Sequence, residues 1–173
     1  AELSYAVSVG NDVDEITLTP RVADAGATVT VAGNAVASSS ASAPVSLPVG
    51  TTSIAVVVTA ADGTTTQQYD VAVTRVPSND AKLSALTLSE GTLQPAFGPF
   101  NTNYLVDVAN SVTSITVTPT AADAGATITV AGNAVASGSA SAPVALAVGS
   151  TSIAVVVTAA DGTTLEYTIA GTR

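Results

Sequence analysis

The 173-residue sequence contains no cysteine and no histidine, and these two absences exclude most catalytic chemistry. The chain has no thiol nucleophile, no imidazole to act as a general base and no soft metal ligand. It also lacks a glycine-rich phosphate-binding loop, and disulfides are impossible, which leaves the redox compartment open. We therefore predict that the protein is not an enzyme and has no catalytic, cofactor-binding or metal-binding residues.

Positive charge is also scarce, because four basic residues stand against 13 acidic ones and the net charge is −9. The four are Arg21, Arg75, Arg173 and Lys82. Nucleic acids and anionic membrane surfaces both require clustered positive charge, so we predict neither as a partner. The single lysine excludes an isopeptide cross-link in each half of the chain.

Long apolar runs are absent as well. None approaches the roughly 18–20 residues of a transmembrane helix, so we predict no membrane insertion. The start, Ala1–Ser4, has neither the basic residues nor the apolar core of a signal peptide. If the protein is secreted, we expect this sequence to be a mature or excised portion.

With four tyrosines, two phenylalanines and no tryptophan, the core has to be built from valine, isoleucine, leucine and alanine. Abundant valine and threonine favour strands over helices. Alternating apolar residues, separated by Gly, Asn, Asp and Pro, predict short strands of an antiparallel β-sandwich. In one predicted hairpin, Gly132–Asn133 would form the turn and place Val130 opposite Val135.

An internal repeat organises the chain. Residues 23–65 align with residues 122–164 at an offset of 99, and only five of the 43 aligned pairs differ. The stretch Thr52–Thr65 recurs without change at Thr151–Thr164, and each copy contains an Asp-Gly hairpin signal. After this turn the offset drops to 98, so the first copy has one extra residue.

The extra residue bears on hairpin register. With Val157 opposite Tyr167 we expect an odd-numbered loop in the second copy, and with Val58 opposite Tyr69 an even-numbered loop in the first. A one-residue slip would turn the tyrosines outward, so we expect the loop or a bulge to absorb the extra residue. Both tyrosines are predicted to face the core.

The first copy has no equivalent of the segment 82–99, because Ala1 aligns with Phe100. That segment begins with a strand-like run, Lys82–Ser89, followed by a turn-rich connection. We therefore predict two β-sandwich domains, the first at residues 1–75 without its opening strand and the second at 82–173. Residues 76–81 would form the linker.

Several separated motifs resemble the bacterial cadherin-like β-sandwich domain family. Leu83–Phe97 is similar to its opening, Asn103–Val108 to its next strand, and Leu146–Gly149 with the hairpin that ends at Arg173 to its close. The resemblance implies two tandem antiparallel immunoglobulin-like β-sandwiches of a bacterial secreted or surface protein. It does not imply calcium-dependent adhesion, because the aspartate runs of true cadherins are missing.

The acidic residues shared by the copies are Asp24/Asp123 and Asp62/Asp161. They could be calcium ligands, but aspartate in Asp-Ala-Gly and Asp-Gly more often forms turns, and we favour that interpretation. Asp12, Asp14 and Glu15 are denser but are not repeated in the second copy, so any site there would be confined to one repeat. Arg75 and Arg173 are expected to close the last strands through a local ion pair or hydrogen bond, with a role in packing successive domains as the alternative.

The missing strand suggests how the chain assembles. The first domain should expose an unpaired edge, which another copy or a neighbouring repeat could fill by strand donation. Alternatively, the chain is part of a longer array whose preceding strand is not included. We expect a non-enzymatic structural or adhesive repeat module, extracellular or on the bacterial cell surface, with a fibre subunit as its specific form. The alternative is a carbohydrate- or surface-binding accessory module of a secreted protein.

Overall fold

The computed structural model describes residues 3–173, and this stretch is built from β-strands and turns. No α-helix occurs among the described residues, so no helix there is long and apolar enough to cross a membrane. The composition explains the result, because β-branched valine and threonine fit a pleated sheet better than a helix. The predicted all-β class is confirmed.

The chain divides into two compact units, Ala1–Pro77 and Ser78–Arg173, which we call the first and second repeats. Part of the segment that the sequence assigns to a linker belongs to the second unit. The Ser78 carbonyl accepts a hydrogen bond from the Asp161 amide at 3.0 Å, and Ala81 is buried in the second core.

Seven strands form the described part of the first repeat. They are β1 (Ser4–Val9), β2 (Glu15–Ile16), β3 (Thr28–Val31), β4 (Asn34–Val36), β5 (Val45–Ser46), β6 (Gly50–Thr59) and β7 (Thr66–Arg75). Five of them make a sheet in the order β1-β7-β6-β3-β4, and β2 pairs with β5. Apolar residues from both sheets meet in one core.

Nine strands form the second repeat. They are β8 (Leu83–Leu88), β9 (Asn103–Asp107), β10 (Ser114–Ile115), β11 (Val117–Ala121), β12 (Thr127–Val130), β13 (Asn133–Val135), β14 (Val144–Ala145), β15 (Ser150–Thr158) and β16 (Thr164–Thr172). The large sheet has the order β13-β12-β15-β16-β9 and corresponds to that of the first repeat. The other layer contains the pairs β11-β8 and β10-β14. Among the described strands, β8 and its partner β11 have no strand counterpart in the first repeat.

Most strand pairs are antiparallel, as predicted, but each large sheet also contains one parallel pair. The edge strand β1 or β9 lies parallel to the last strand of the same repeat, β7 or β16. A parallel pair needs a long connection, and the rest of each sandwich supplies it. Sequence alternation identifies the strands but not their partners, which explains why this pairing was not foreseen.

The loops of the two Asp-Gly hairpins differ by one residue. Residues 60–65 make a six-residue loop between Thr59 and Thr66, and residues 159–163 make a five-residue loop in the second copy. The predicted even and odd loops are therefore confirmed, and so is the absorption of the extra residue in the loop.

The predicted register of these hairpins is wrong by two residues. Tyr167 lies opposite Val155 rather than Val157, and Tyr69 lies opposite Val56 rather than Val58. A shift of two keeps every side chain on its face, so alternation cannot exclude it.

The predicted Gly132–Asn133 turn is also displaced, here by one residue. Val130 pairs with Asn133 and not with Val135, and the two turn residues are Ala131 and Gly132. Both have positive φ, 46° and 80°, which a type I′ turn requires. Ala131 is a non-glycine residue in the left-handed region, whereas the sequence prediction assigned the two turn positions to Gly132 and Asn133.

Candidate functional site

The opening strand of the second repeat covers one side of its core. Strand β8 pairs antiparallel with β11 and buries Leu83 and Leu86, which are 0% and 3% exposed. A bulge at the Thr120–Ala121 step keeps both leucines on the core face although they are three residues apart. Strand β8 is therefore an integral wall of this sandwich.

Two tyrosine hydroxyls bind the backbone of the opening segment. The Tyr167 hydroxyl accepts a hydrogen bond from the Leu83 amide at 2.9 Å and donates one to the Pro99 carbonyl at 3.1 Å. The Tyr104 hydroxyl accepts a hydrogen bond from the Gly98 amide at 3.3 Å and donates one to the Asn101 carbonyl, just beyond the segment, at 2.8 Å. Burial raises the pKa of the Tyr167 hydroxyl above its ordinary value.

The connection that follows β8 covers the outer edge of β9. Gln94 and Leu105 exchange two backbone hydrogen bonds of 2.8 Å each. The Phe97 ring packs on Tyr104 with 6.1 Å between ring centroids. In the second repeat, residues 83–97 therefore satisfy one backbone edge and cover the apolar side chains behind it.

In the first repeat the counterpart of β11, residues 18–22, is not a strand. Its inner side is nevertheless held as in the second repeat. The Leu18 amide donates to the Ser42 hydroxyl at 3.1 Å, and the Ser42 amide donates to the Leu18 carbonyl at 2.8 Å. The equivalent bonds of Val117 with Ser141 measure 3.0 and 2.8 Å. The segment is therefore anchored on one side, and no described strand pairs with its other side.

On the side facing away from Ser42, residues 17–21 present a row of backbone groups with which an added strand could pair. In the second repeat the Thr116 carbonyl and the Ala122 amide bond to the opening segment, so alternate residues face it. The corresponding residues of the first repeat are Thr17, Thr19 and Arg21. The intervening Pro20 lies in the other phase of the alternation, so its missing amide hydrogen does not interrupt the row.

Within the described residues, the first core is exposed on the side that residues 83–97 cover in the second repeat. Tyr5 and Val7 are 47% and 42% exposed, whereas their counterparts Tyr104 and Val106 are 2% and 1% exposed. Among residues 3–173, six residues form the buried core of the first repeat and sixteen form that of the second. The repeats are almost identical over residues 23–65 and 122–164, so the cover that residues 81–97 give the second core, and not a weaker core sequence in the first, accounts for the difference.

A groove of about 430 Å³ opens between residues 20–24 and the hairpin side chains Val56, Val58 and Tyr69. In the second repeat, the buried Leu83 is tied to Tyr167 on the corresponding wall. Tyr167 is fully buried as predicted, whereas Tyr69 is only half-buried. Among the described residues, no hydrogen bond involves the Tyr69 hydroxyl, the counterpart of the hydroxyl that binds Leu83. We call this surface the acceptor groove.

The repeated aspartates form turns. Asp24 accepts the Gly26 amide at 2.8 Å, and Asp123 accepts the Gly125 amide at 2.6 Å. Asp161 accepts the Thr163 amide at 2.7 Å. Each bond closes an Asx turn, which agrees with the favoured interpretation.

Asp62 accepts more hydrogen bonds than the other repeated aspartates. Its carboxylate accepts the Thr65 hydroxyl at 2.6 Å and the Thr65 and Thr64 amides at 2.8 and 2.9 Å. These bonds, led by that of the Thr65 hydroxyl, lower the pKa of Asp62 from 3.8 to about 2. The carboxylate is fully exposed and its bonds are local, so its evident role is to fix the hairpin loop.

The denser acidic group of the first repeat comprises Asp12, Asp14 and Glu15. The Asp14 carbonyl accepts the Leu47 amide at 2.7 Å, and Glu15 pairs with Ser46 in β2. Within residues 3–173, no group of three or more acidic residues is arranged to hold a metal ion.

The two strand-closing arginines act through the backbone. Arg75 donates to the carbonyls of Asn11 and Leu47, and Arg173 donates to those of Asn110 and Leu146. These bonds connect the end of the last strand to two loops of the same repeat. The predicted hydrogen-bonding role is confirmed, and no ion pair contributes among the described residues, where the recorded one joins Lys82 and Asp80.

The architecture thus defines a tandem protein of immunoglobulin-like β-sandwiches, and the sequence places it in a family. The chain belongs to the cadherin-like β-sandwich domain family, whose sequence model matches residues 1–76 and 83–173. The resemblance inferred from the motifs is therefore confirmed.

Comparison with individual proteins adds a bacterial relative. A protein of Evansella cellulosilytica, whose name proposes that it is a membrane protein, is 45% identical over 92 residues. The match spans 53% of this chain and only 14% of the relative.

Solved structures resemble the chain more distantly. Drosophila N-cadherin EC1-3 has a TM-score of 0.47 and 14% identity, over 97% of this chain and 63% of that one. The Clostridium thermocellum CbhA fibronectin(III)-like modules give 0.27 and 13%, over 99% and 90%. The Bacteroides ovatus protein SGBP-B, in complex with a mixed-linkage heptasaccharide, gives 0.27 and 16%, over 100% and 43%. At these scores the likeness carries no functional argument.

Proposed function

We propose that the chain is a non-enzymatic structural or adhesive repeat unit of a bacterial extracellular or cell-surface protein. The specific form of the proposal is that the first repeat accepts an opening segment from a neighbouring cadherin-like repeat. Units joined in this way would form a fibre. Membership of the family supports the general proposal. The bacterial relative whose name proposes a membrane protein supports a surface location. The absence of histidine and cysteine supports a non-enzymatic role.

The acceptor groove is the observation that carries the specific proposal. It combines an anchored but unpaired segment, exposed core side chains and an unused tyrosine hydroxyl, all described above. Strand addition would satisfy the backbone edge and cover the apolar side chains at the same time. An exposed apolar surface rimmed by an open backbone edge is otherwise an aggregation hazard that proteins avoid.

The donated strand has to come from outside residues 3–173. Within them, the one segment of the required kind is residues 80–99, and it already completes the second repeat. Moving it into the first repeat would open the second, with no net gain in buried surface. A decisive experiment therefore supplies an additional copy of Asp80–Pro99.

Two versions of the protein with nearly the same composition test the proposal. One carries the additional copy directly ahead of Ala1, where Pro99 would continue into the position of Phe100. The other carries it after Arg173 on a short Gly/Ser linker. We expect the first version to be monomeric because it fills its own groove, and the second to form head-to-tail oligomers. Light scattering on a sizing column and negative-stain microscopy measure the two states.

Amide hydrogen exchange shows whether the additional copy occupies the groove. Exchange at residues 17–23 should slow in both versions relative to the 1–173 chain, because Thr19 and Arg21 gain ladder partners. Two monomeric versions with unchanged exchange would refute strand acceptance. Turnover of a substrate by the purified chain would refute the non-enzymatic assignment.

A carbohydrate- or surface-binding module remains the second candidate, and one side chain favours it. Phe100 is 85% exposed, and an exposed aromatic ring can stack on a sugar. Within residues 3–173 the one recorded ring pair joins Phe97 to Tyr104, so Phe100 does not belong to an aromatic platform. A glycan-array signal that disappears in Phe100→Ala but persists in Val148→Ala, another exposed apolar position, would support this candidate.

A further inference from the structure

We infer that the acceptor groove selects an extended segment with apolar side chains at the positions of Leu83, Leu86 and Leu88 and a carboxylate at the position of Ala85. The inference rests on the proposed function, because it specifies the side chains of the strand that would fill the groove. The second repeat provides the template, because it contains the same kind of segment on an equivalent surface.

The backbone of the template defines where each donor residue would lie. In the second repeat Leu88 pairs with Val117, Leu86 with Pro119 and Ala85 with Thr120. With the offset of 99, the partners in the first repeat become Leu18, Pro20 and Arg21. The hydrogen bonds that anchor this segment are the same in both repeats, so the register carries over.

The apolar requirement follows from what lies beneath the strand. Leu83 and Leu86 are buried in the second repeat, and Leu88 packs against the same core. Their counterpart site in the first repeat is walled by Val56, Val58 and Tyr69, which correspond to buried residues of the second core. A polar side chain at these positions would be desolvated against an apolar wall without a partner.

The carboxylate requirement comes from a difference between the repeats. Arg21 stands where the second repeat has Thr120, which lies directly opposite Ala85. Arg21 is exposed, and among the described residues it has neither an ion pair nor a hydrogen bond. Directly opposed residues in an antiparallel pair share a face and lie close enough to interact. A carboxylate opposite Arg21 would supply charge complementarity that an alanine cannot.

Three synthetic peptides test the inference against the 1–173 chain by isothermal titration calorimetry. The first has the sequence of residues 80–99, the second carries Ala85→Glu and the third carries Thr92→Glu. The third has the same charge as the second, but its carboxylate lies in the exposed connection beyond the strand. The protein variant Arg21→Thr introduces the residue that the second repeat uses, at an exposed site where folding should not be affected.

We expect the Ala85→Glu peptide to bind about two- to fivefold more tightly than the other two, as for an opposed charge pair in a sheet. The preference should shrink at high salt and disappear in Arg21→Thr. Equal affinities for the three peptides would overturn the inference and leave strand acceptance intact. A preference that survives Arg21→Thr would also overturn it, because the charge would then be recognised elsewhere. Failure of every peptide to bind would refute both the inference and strand acceptance.

Discussion

The hydroxyl groups of Tyr167 and Tyr69 provide a matched test of the difference between a complete and an open sandwich. Both belong to the last strand of their repeat and align with each other in the sequence. The Tyr167 hydroxyl bonds to the Leu83 amide and the Pro99 carbonyl, whereas that of Tyr69 bonds to no described residue. The substitution Tyr→Phe removes only this oxygen and keeps the ring.

The expected effects differ in magnitude. Tyr167→Phe leaves the Leu83 amide without a partner at a buried position, and an unsatisfied buried donor costs about 1–3 kcal/mol. At about 1.4 kcal/mol per factor of ten, the unfolding equilibrium constant of the second repeat should rise roughly 5- to 150-fold. Tyr69→Phe removes no protein hydrogen bond, so the first repeat should change by less than about 0.5 kcal/mol.

Hydrogen exchange measured across a urea series on the intact chain separates the two repeats, because each peptide fragment reports local and global opening of its own unit. Equal destabilisation by the two substitutions would refute the argument, since it would mean that Tyr69 has a partner equivalent to Leu83. A version with a copy of Asp80–Pro99 ahead of Ala1 extends the test. There, Tyr69→Phe should become as destabilising as Tyr167→Phe.

Three further predictions follow from local contacts. Asp62→Asn should destabilise the first repeat at pH 7, and the difference from wild type should vanish as the pH falls from about 4 towards 2, because a lowered pKa stabilises only the ionised form. Arg75→Gln should cost about 1.5–3 kcal/mol by removing charge-assisted hydrogen bonds to two loop carbonyls, as measured by urea denaturation. Ser141→Ala should cost about 1–3 kcal/mol, measured in the same way, because the buried Val117 amide loses its acceptor.

Each of these predictions has a control in the chain. Thr65→Ala removes the largest cause of the Asp62 shift, so the carboxyl titration followed by NMR should move to higher pH; an unmoved titration contradicts the assigned cause. Arg21→Gln controls for charge, because Arg21 is exposed, and it should change stability by less than about 0.5 kcal/mol. The same limit applies to Ser139→Ala, also exposed, and the argument for Ser141 fails if the two serines behave alike.

Much of the architecture could be predicted because it depends on local chemistry. The near-identical repeats, the alternation of apolar residues and the Asp-Gly signals predicted tandem sandwiches and both hairpin loop lengths. The lack of a counterpart to residues 82–99 indicated which strand the first sandwich would miss. All of these are properties of neighbouring residues, so comparison within one sequence was sufficient.

Strand partners and register could not be predicted in the same way. The period of a strand is two residues, so placing Tyr167 opposite Val155 or Val157 satisfies the alternation equally well. The parallel pairing of β9 with β16 joins residues more than 60 positions apart, and no local pattern records it. Packing of the complete sandwich decides between these alternatives.

Identification of the acceptor groove required both the sequence and the tertiary structure. The repeat alignment alone showed that residues 1–75 contain no counterpart of residues 82–99, because two stretches of one sequence can be compared without coordinates. The tertiary structure was needed to show that residues 18–22 stay anchored by Ser42 without a neighbouring strand. It was also needed to place Arg21 in the register opposite an incoming residue, because that position depends on backbone hydrogen bonds between distant segments.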